Sequence, residues 1–214
     1  MSLRTLFTTA AIVCAAAAAL PAAAQAPSFG IKPLLGQASD AALDKLSQPG
    51  AFSSDAAIRI ALPGAGNKNV GKLLELAQQS GLSANLDAAL NQAAEKAAAQ
   101  AKPIFRAAID KATLNDAVDI ARGGSTGATD YLRKSTGAQI TAQLQPLVRA
   151  ALQSSGVLQK TSQLQALGFD EARLTDYVTG KTSDGIFTYV GREETRMRQN
   201  PMETGTQLLK GLKF

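Results

Sequence analysis

The stretch Ala121-Arg-Gly-Gly-Ser-Thr-Gly-Ala-Thr-Asp-Tyr-Leu-Arg-Lys134 is a glycine-rich turn inside a long alanine-rich run from Leu82 to Leu152. On each side of this turn, apolar residues recur at the spacing of one helix face. Two long apolar helices joined by a short turn form a hairpin, and the rest of the chain has to cover it. The two apolar stripes consist of Leu86, Leu90, Ala93, Ala97, Ile104 and Ala108 before the turn, and of Leu132, Ile140, Leu144, Leu147, Val148 and Leu152 after it.

The composition indicates a mainly α protein. Hydrophobic residues are 45% of the 214-residue chain, but aromatic residues are only 5% and Trp is absent, so the core must consist of Ala, Leu, Ile and Val. Alanine at this density favours helix over sheet. Roughly 190 residues remain after removal of an N-terminal leader, which suits one domain. We therefore expect a single-domain helical bundle over residues 34–214, built on the long helical hairpin, with at most one short two-stranded β-ribbon.

The N-terminus has the pattern of an export signal. Met1 to Thr9 carry one basic residue, and the apolar run from Ala10 to Leu20 is too short to span a bilayer comfortably. Pro21-Ala-Ala-Ala24 then offers an A-x-A cleavage site. Residues 1–24 are therefore predicted to be a signal peptide that is cut after Ala24, and residues 25–33 a flexible lead-in. The mature chain is expected in the periplasm, with no transmembrane segment.

Two residue types limit the chemistry of the mature chain. The chain contains no His, which removes the usual general base near neutral pH, the commonest zinc ligand and every Ser-His or Cys-His arrangement. Its single cysteine, Cys14, lies in the leader, and Val13 before it is larger than the residue that a lipoprotein signal requires. We expect a soluble exported protein, with a lipid anchor at Cys14 as the alternative, and we predict no cofactor, no metal site and no catalytic residue.

Charge is spread along the chain. Lys and Arg number 22 and Asp and Glu 17, so loss of Arg4 with the leader leaves 21 against 17, a net charge of +4. Because no run of five or six basic residues occurs, the excess is interpreted as a solvated surface, with attraction to an anionic lipid or an envelope glycan as the alternative. The scarcity of aromatic residues argues against base stacking, so no nucleic-acid partner is expected.

Shorter elements are predicted before the hairpin. One helix is expected from Leu34 to Leu46 and another from Val70 to Ser80. Between them, Ala57 to Leu62 alternate in polarity like a short strand, and the best partner for this strand lies around Phe169 to Leu174. The first helix has an apolar side formed by Leu35, Ala38, Ala42 and Leu46.

The hairpin itself contains two prolines, and short helices are predicted before its turn and after its second arm. Pro103 should kink or break the first arm at Lys102-Pro103, and Pro146 should bend the second, because proline removes a helical hydrogen bond. Short helices are predicted from Thr113 to Arg122 and from Val157 to Leu167.

The segment Gly123-Gly-Ser-Thr-Gly127 invites comparison with a phosphate loop. It lacks the order G-x-x-x-x-G-K-[ST] and does not follow a predicted strand. A simpler interpretation is that Gly123 and Gly124 end one helix in conformations that other residues avoid, and that Ser125 or Thr126 caps the next helix. An anion bound at that helix N-terminus remains the alternative.

A last long helix is predicted towards the C-terminus. Its charged face runs from Arg192 to Arg198 and contains Glu194 and Arg198 as an i,i+4 pair. Asn200-Pro-Met-Glu203 has the pattern of one more helix start, and the leucines after it can dock the C-terminus onto the bundle. The buried face of the long helix is predicted to consist of Tyr177, Ile186, Phe187, Val190 and Met197.

Several blocks of this sequence resemble a known family. They include Asn91-Gln-Ala-Ala-Glu95, Ala101-Lys-Pro-Ile-Phe105, Ala128-Thr-Asp-Tyr-Leu-Arg133, Pro146-Leu-Val148, Asp176-Tyr-Val-Thr179, Asp184-Gly-Ile-Phe187 and Arg198-Gln-Asn-Pro201. In this order they are similar to the bacterial "domain of unknown function 4197" family over nearly all of the mature chain. The resemblance implies an exported, mainly helical protein of Gram-negative type and implies no activity, ligand or catalytic residue. The chain departs from the family pattern at Gly180, Thr182 and Ser183 and in Met202 to Thr206.

Three functions stay open at this stage. The leading hypothesis is a non-enzymatic periplasmic helical binding or structural module that acts through its surface. One alternative is a lipid- or membrane-surface-associated envelope protein. The other is a hydrolase-type enzyme that uses carboxylates, although the acidic candidates have no spacing that brings them together. These candidates are Glu95, Asp130, Asp184, Glu193 and Glu194.

The candidate ligand-binding residues are Asp130, Tyr131 and Arg133, directly after the turn. Lys102 and Arg106 join them if the hairpin folds the turn back towards the proline break, and the ordinary interpretation of these side chains is a solvated surface pair. The sequence does not specify the biochemical activity, the ligand, the partner or the oligomeric state.

Overall fold

The described part of the chain is helical. The computed structural model describes residues 30–62, 82–113, 120, 123–158, 165 and 170–200, and within these ranges it contains no β-strand. The mainly α fold class predicted from the sequence is confirmed. In chain order, the helices are α1 (Ile31–Leu46), α2 (Ala51–Ser54), α3 (Leu82–Gln100), α4 (Lys102–Lys111), α5 (Gly127–Ser154), preceded by the short 3-10 turn Gly124–Thr126, and α6 (Glu171–Gln199).

Helix α1 begins earlier than predicted and ends at the predicted residue. It starts at Ile31, so Pro33 lies in its first turn, where the missing N–H group costs no hydrogen bond. All four residues of its predicted apolar side are buried, which confirms that side as the one facing the core. After α1 the chain turns through Gly50, which has φ +84.

The predicted helical hairpin is present, and its first arm is broken. Helix α3 ends at Gln100, and α4 begins at Lys102 with Pro103 in its first turn, where proline is tolerated. The break predicted at Lys102-Pro103 is confirmed. Helix α5 then packs back against α3 and α4. It runs through Pro146 as one helix and ends at Ser154, two residues before Gly156.

Helix α6 lies at the centre of the described bundle. It packs along α1 and α5 and also contacts α3. Four residues of its predicted apolar face are buried, whereas Tyr177 is only half-buried. The buried hydroxyls of Thr175, Thr179 and Thr182 each donate to the carbonyl four residues earlier. These polar residues can therefore lie on the buried face of α6, because their hydroxyls are hydrogen-bonded within the helix.

The strand predicted over Ala57 to Leu62 is not formed. The alternation is real, because Ile58, Ile60 and Leu62 are buried, but residues 171–174, part of the expected partner, begin α6. Side chains of α3 take the place of a partner strand. Asn91 accepts from the Ile60 N–H at 2.9 Å and donates to the Ile60 carbonyl at 2.7 Å. The backbone N–H and carbonyl of Ile60 are therefore satisfied without a sheet.

Some predictions concern residues outside the described ranges. They are the signal peptide, most of the lead-in, the helix from Val70 to Ser80, most of the short helices from Thr113 to Arg122 and from Val157 to Leu167, and the helix start at Asn200-Pro-Met-Glu203 with the leucines after it. Among the helices in the described ranges, none is both long and apolar enough to cross a membrane.

Candidate functional site

Glu194 joins α6 to the first turn of α5. The predicted pair with Arg198 is confirmed at 2.7 Å, and Glu194, a member of the predicted charged face, is fully buried. Its carboxylate accepts from the backbone N–H groups of Ala128 at 3.0 Å and Thr129 at 2.7 Å. Such N–H groups at a helix start lack intrahelical partners and attract negative charge. The protein's own carboxylate therefore fills the place where the sequence suggested an external anion.

The glycine-rich turn differs from its prediction in two details. Gly124 has φ +76, as expected for a residue type that tolerates this region, whereas Gly123 has φ −69, which any residue adopts. Thr126 occupies the cap position of α5, but its hydroxyl donates to Asp130 at 2.9 Å and does not cap the helix. The cap comes instead from Glu194, 65 and 66 residues away from its partners.

A groove of about 340 Å³ lies between the start of α5 and the C-terminal half of α6. Gly191 allows a close approach at this point, since a Cβ atom there would lie 3.2 Å from Thr126 Cγ2. The groove combines guanidinium, carboxylate and hydroxyl groups with one buried aromatic ring. Its lining residues are Thr126, Thr129, Asp130, Arg133, Phe187, Thr188, Gly191, Arg192 and Thr195.

Arg133 is half-exposed in this groove. Its guanidinium carbon lies 5.7 Å from the ring centroid of Phe187, and its Nη2 pairs with Asp184. Phe187 is buried, with its ring centroid 5.4 Å from that of Phe105. A guanidinium over an aromatic face gains a cation–π attraction, which holds it in place. Asp130 and Arg133, two of the five candidates from the sequence, therefore share one groove.

Arg192 is a second arginine of the groove that sequence reasoning missed. It lies 4.8 Å from the ring centroid of Tyr189 and pairs with Asp55, 137 residues earlier. Asp55 also accepts from the Tyr189 hydroxyl at 3.0 Å and from the Ala57 N–H at 2.9 Å. The hydrogen bonds from Arg192 and Ala57 lower the pKa of Asp55 to about 2. No local pattern could have revealed this cluster, because its parts are far apart in the chain.

The other three candidates make separate contacts. Lys102 and Arg106 of α4 pair with two acids of α1, Asp44 and Asp40 respectively, so they tie α4 to α1. Tyr131 donates its hydroxyl to the Thr113 carbonyl at 2.5 Å. These three residues do not line the groove. The structure therefore does not bring the five predicted residues together into one surface.

Three of the five carboxylates considered for a hydrolase, Glu95, Glu193 and Glu194, are buried and hold parts of the fold together. Glu95 is buried and accepts from the Phe52 N–H at 3.2 Å. Glu193 is also buried, and Lys45 and Arg196 donate to it. Burial raises the pKa of Glu193, but these hydrogen bonds outweigh it, so the pKa lies below its ordinary value. Across the described ranges, no group of three His, Cys, Asp or Glu side chains is placed to hold a metal ion.

The described fold and groove define a class: a helical bundle protein with a polar groove between two long helices. Residues 22–212 match the family model described as "Protein of unknown function (DUF4197)", so the chain belongs to that family. The family resemblance inferred from the sequence blocks is confirmed. Comparison with curated proteins and with solved structures finds no match.

Proposed function

We propose that the protein is a non-enzymatic binding module of the cell envelope that acts through the groove between α5 and α6. The observation that supports this most directly is the way its two arginines are held. Each guanidinium lies over an aromatic ring and also pairs with an acid, so both are positioned before any ligand arrives. Binding sites commonly combine a few fixed polar groups with apolar walls.

The backbone around the groove is also fixed. Glu194 ties the start of α5 to α6 through three hydrogen bonds from Ala128 and Thr129. The two helices that form the walls are therefore joined at one end by a buried carboxylate. A groove between joined helices keeps its shape, which reduces the entropy lost when a ligand binds.

Export to the periplasm is the second part of the proposal. It rests on the leader pattern in residues 1–24 and on the A-x-A site at Ala22-Ala-Ala24. Intact mass spectrometry of protein from the periplasmic fraction should give a chain that begins at Gln25. A full-length mass in the cytoplasmic fraction would contradict export, and a lipid-modified chain that begins at Cys14 would support the anchored alternative instead.

Native mass spectrometry of the periplasmic protein tests the binding role. We expect a co-purifying small molecule that is released on denaturation. Thr188→Phe should fill the groove and abolish co-purification, because Thr188 is half-exposed on its wall. The matched control is Ala172→Phe, an exposed position on the same helix that lines a different groove. Equal loss in both variants, or an empty wild-type protein, would overturn the proposal, and flotation with anionic vesicles would support the lipid-surface alternative.

A further inference from the structure

The two arginines of the groove differ in how firmly their acids are held. Arg192 pairs with Asp55, whose side chain is 22% exposed and also accepts from Tyr189 and Ala57. A ligand that displaced Arg192 from Asp55 would disrupt a cluster in which three donors surround one carboxylate. This pair therefore attaches the segment that follows α2 to helix α6. Arg192 lines the groove but has a structural role.

The pair between Arg133 and Asp184 is of another kind. The two side chains are 50% and 57% exposed. Within the described ranges, the Asp184 carboxylate accepts from Arg133 alone. Exposed ion pairs contribute little to stability because water solvates the separated charges well. Arg133 would also keep its place over the buried Phe187 ring if Asp184 moved away, so exchange of Asp184 for another anion costs little.

Three threonine hydroxyls of the groove can act as hydrogen-bond acceptors for a ligand. The hydroxyls of Thr126, Thr188 and Thr195 donate within the protein, to the Asp130 carboxylate and to the carbonyls of Asp184 and Ser125. A hydroxyl has one donor hydrogen and two acceptor lone pairs, so these oxygens can still accept. A ligand that fits them must bring O–H or N–H donors.

A second, larger groove lies along the same two helices. It has a volume of about 520 Å³, and its lining includes Arg149, Glu171 and Asp176. Arg149 pairs there with Glu171, so each groove holds an arginine beside an acid.

We propose that Arg133 binds the anionic group of a hydroxyl-rich ligand, such as a sugar acid or a sugar phosphate, and that Asp184 occupies this position as an internal counter-ion when the groove is empty. The proposal rests on the proposed function, because it assigns the ligand class of the same groove. Carboxylate and phosphate are the two anions that a guanidinium binds through paired hydrogen bonds.

Titration followed by NMR of the arginine Nε–H signals tests this assignment on the mature protein. The probes are glucuronate, glucose 6-phosphate and neutral glucose at constant ionic strength. We expect a saturable shift of the Arg133 signal with one or both anionic sugars and not with glucose. Asp184→Asn should strengthen binding about fivefold, because the internal competitor is removed. Arg133→Gln removes that signal, so its binding is followed through the backbone amide signals around the groove; these should show no saturable shift, and the melting temperature should stay unchanged.

Arg149→Gln is the matched control, because Arg149 forms a similarly exposed pair with Glu171, 58% and 40% exposed, in the other groove. It should bind the anionic probes as the wild type does. An equal response to glucose, no saturable shift at Arg133, or unchanged affinity in Asp184→Asn would overturn the inference. If Thr188→Phe loses a co-purified neutral molecule while Arg133→Gln retains it, the binding function stands and the anion assignment fails. If neither substitution matters, both fail.

Discussion

Glu194 shows how one residue can join two distant parts of the fold. Its carboxylate is fully buried yet accepts from two backbone N–H groups, the Thr129 hydroxyl and Arg198. A buried charge is tolerated when it is paired and hydrogen-bonded in this way. The sequence revealed the local pair with Arg198, because i,i+4 spacing is visible in it. It could not reveal the burial or the contact with α5, which depend on how the helices pack.

Replacement of Glu194 should therefore be costly. Glu194→Ala leaves the Arg198 guanidinium without its acid and two backbone N–H groups unsatisfied, so we expect a loss of about 3–5 kcal/mol in the free energy of unfolding. Urea denaturation followed by circular dichroism measures it. Glu171→Ala, which breaks an exposed pair with Arg149, is the control and should cost less than about 1 kcal/mol. Similar losses in the two variants would refute the role assigned to Glu194.

Asp55 gives the stability a dependence on acid pH. Its pKa in the folded protein is about 2, below the ordinary value of 3.8, so folding favours the charged form. The stabilisation from this group is therefore fully present above about pH 4 and is lost as the pH falls towards 2. We expect Asp55→Asn to melt at a lower temperature than wild type at pH 6, and the gap to narrow between pH 4 and pH 2. A gap that stays constant over this range would contradict the assignment.

At the scale of the elements, α6 relies on small residues where it meets other parts of the chain. Gly185 faces Phe52, and a Cβ atom at this position would lie 2.7 Å from the ring carbon Cε1. Phe52 is fully buried, so the ring has little room to retreat. Gly180 lies on the same helix with no atom within 4 Å of the corresponding position. Alanine at either position gains the same helix propensity, but only at Gly185 does its Cβ atom meet another side chain. The two substitutions therefore isolate the effect of packing.

Alanine should have opposite effects at these two glycines. Gly180→Ala should raise the free energy of unfolding by about 0.5–1 kcal/mol, because alanine is the better helix former. Gly185→Ala gains the same propensity but forces Phe52 to move, and we expect a net loss of about 1–3 kcal/mol. Thermal melts of both variants provide the measurement. Stabilisation by Gly185→Ala would show that the contact with Phe52 is looser than described.

Sequence periodicity predicted the elements better than their connections. The apolar side of α1, the hairpin and the buried face of α6 follow from spacing within one helix, which the sequence displays directly. The failures involve partners far apart in the chain: Asn91 and Ile60 are 31 residues apart, and Arg192 and Asp55 are 137 apart. The same distinction applies to the candidate site, where Asp130 and Arg133 share the groove because they are neighbours on one helix, while Arg192 could be found only from the fold.

At the scale of the whole molecule, α6 is the helix on which the described bundle depends. It packs along α1 and α5, whereas α4 is short and contacts mainly α1 and α5. Amide hydrogens in the middle of α6 should therefore exchange only through global unfolding, and those of α4 should exchange earlier through local opening. Hydrogen exchange followed by mass spectrometry measures this order. If the amide hydrogens of α6 exchanged before those of α4, the most stable part of the described bundle would not be α6.

The two hydrogen bonds between the Asn91 side chain and the Ile60 backbone also affect how readily the protein aggregates. A stretch rich in β-branched and aliphatic residues, such as Ile58-Arg-Ile-Ala-Leu62, can pair with strands of other molecules and start aggregates when its backbone is unpaired. With its backbone held by an asparagine of its own chain, the segment has no free edge to offer at Ile60. Asn91→Ala should aggregate faster than Gln92→Ala at equal concentration and at the same interval below each melting temperature, as followed by light scattering. One buried amide side chain then limits aggregation, because it keeps the backbone of Ile60 paired within its own chain.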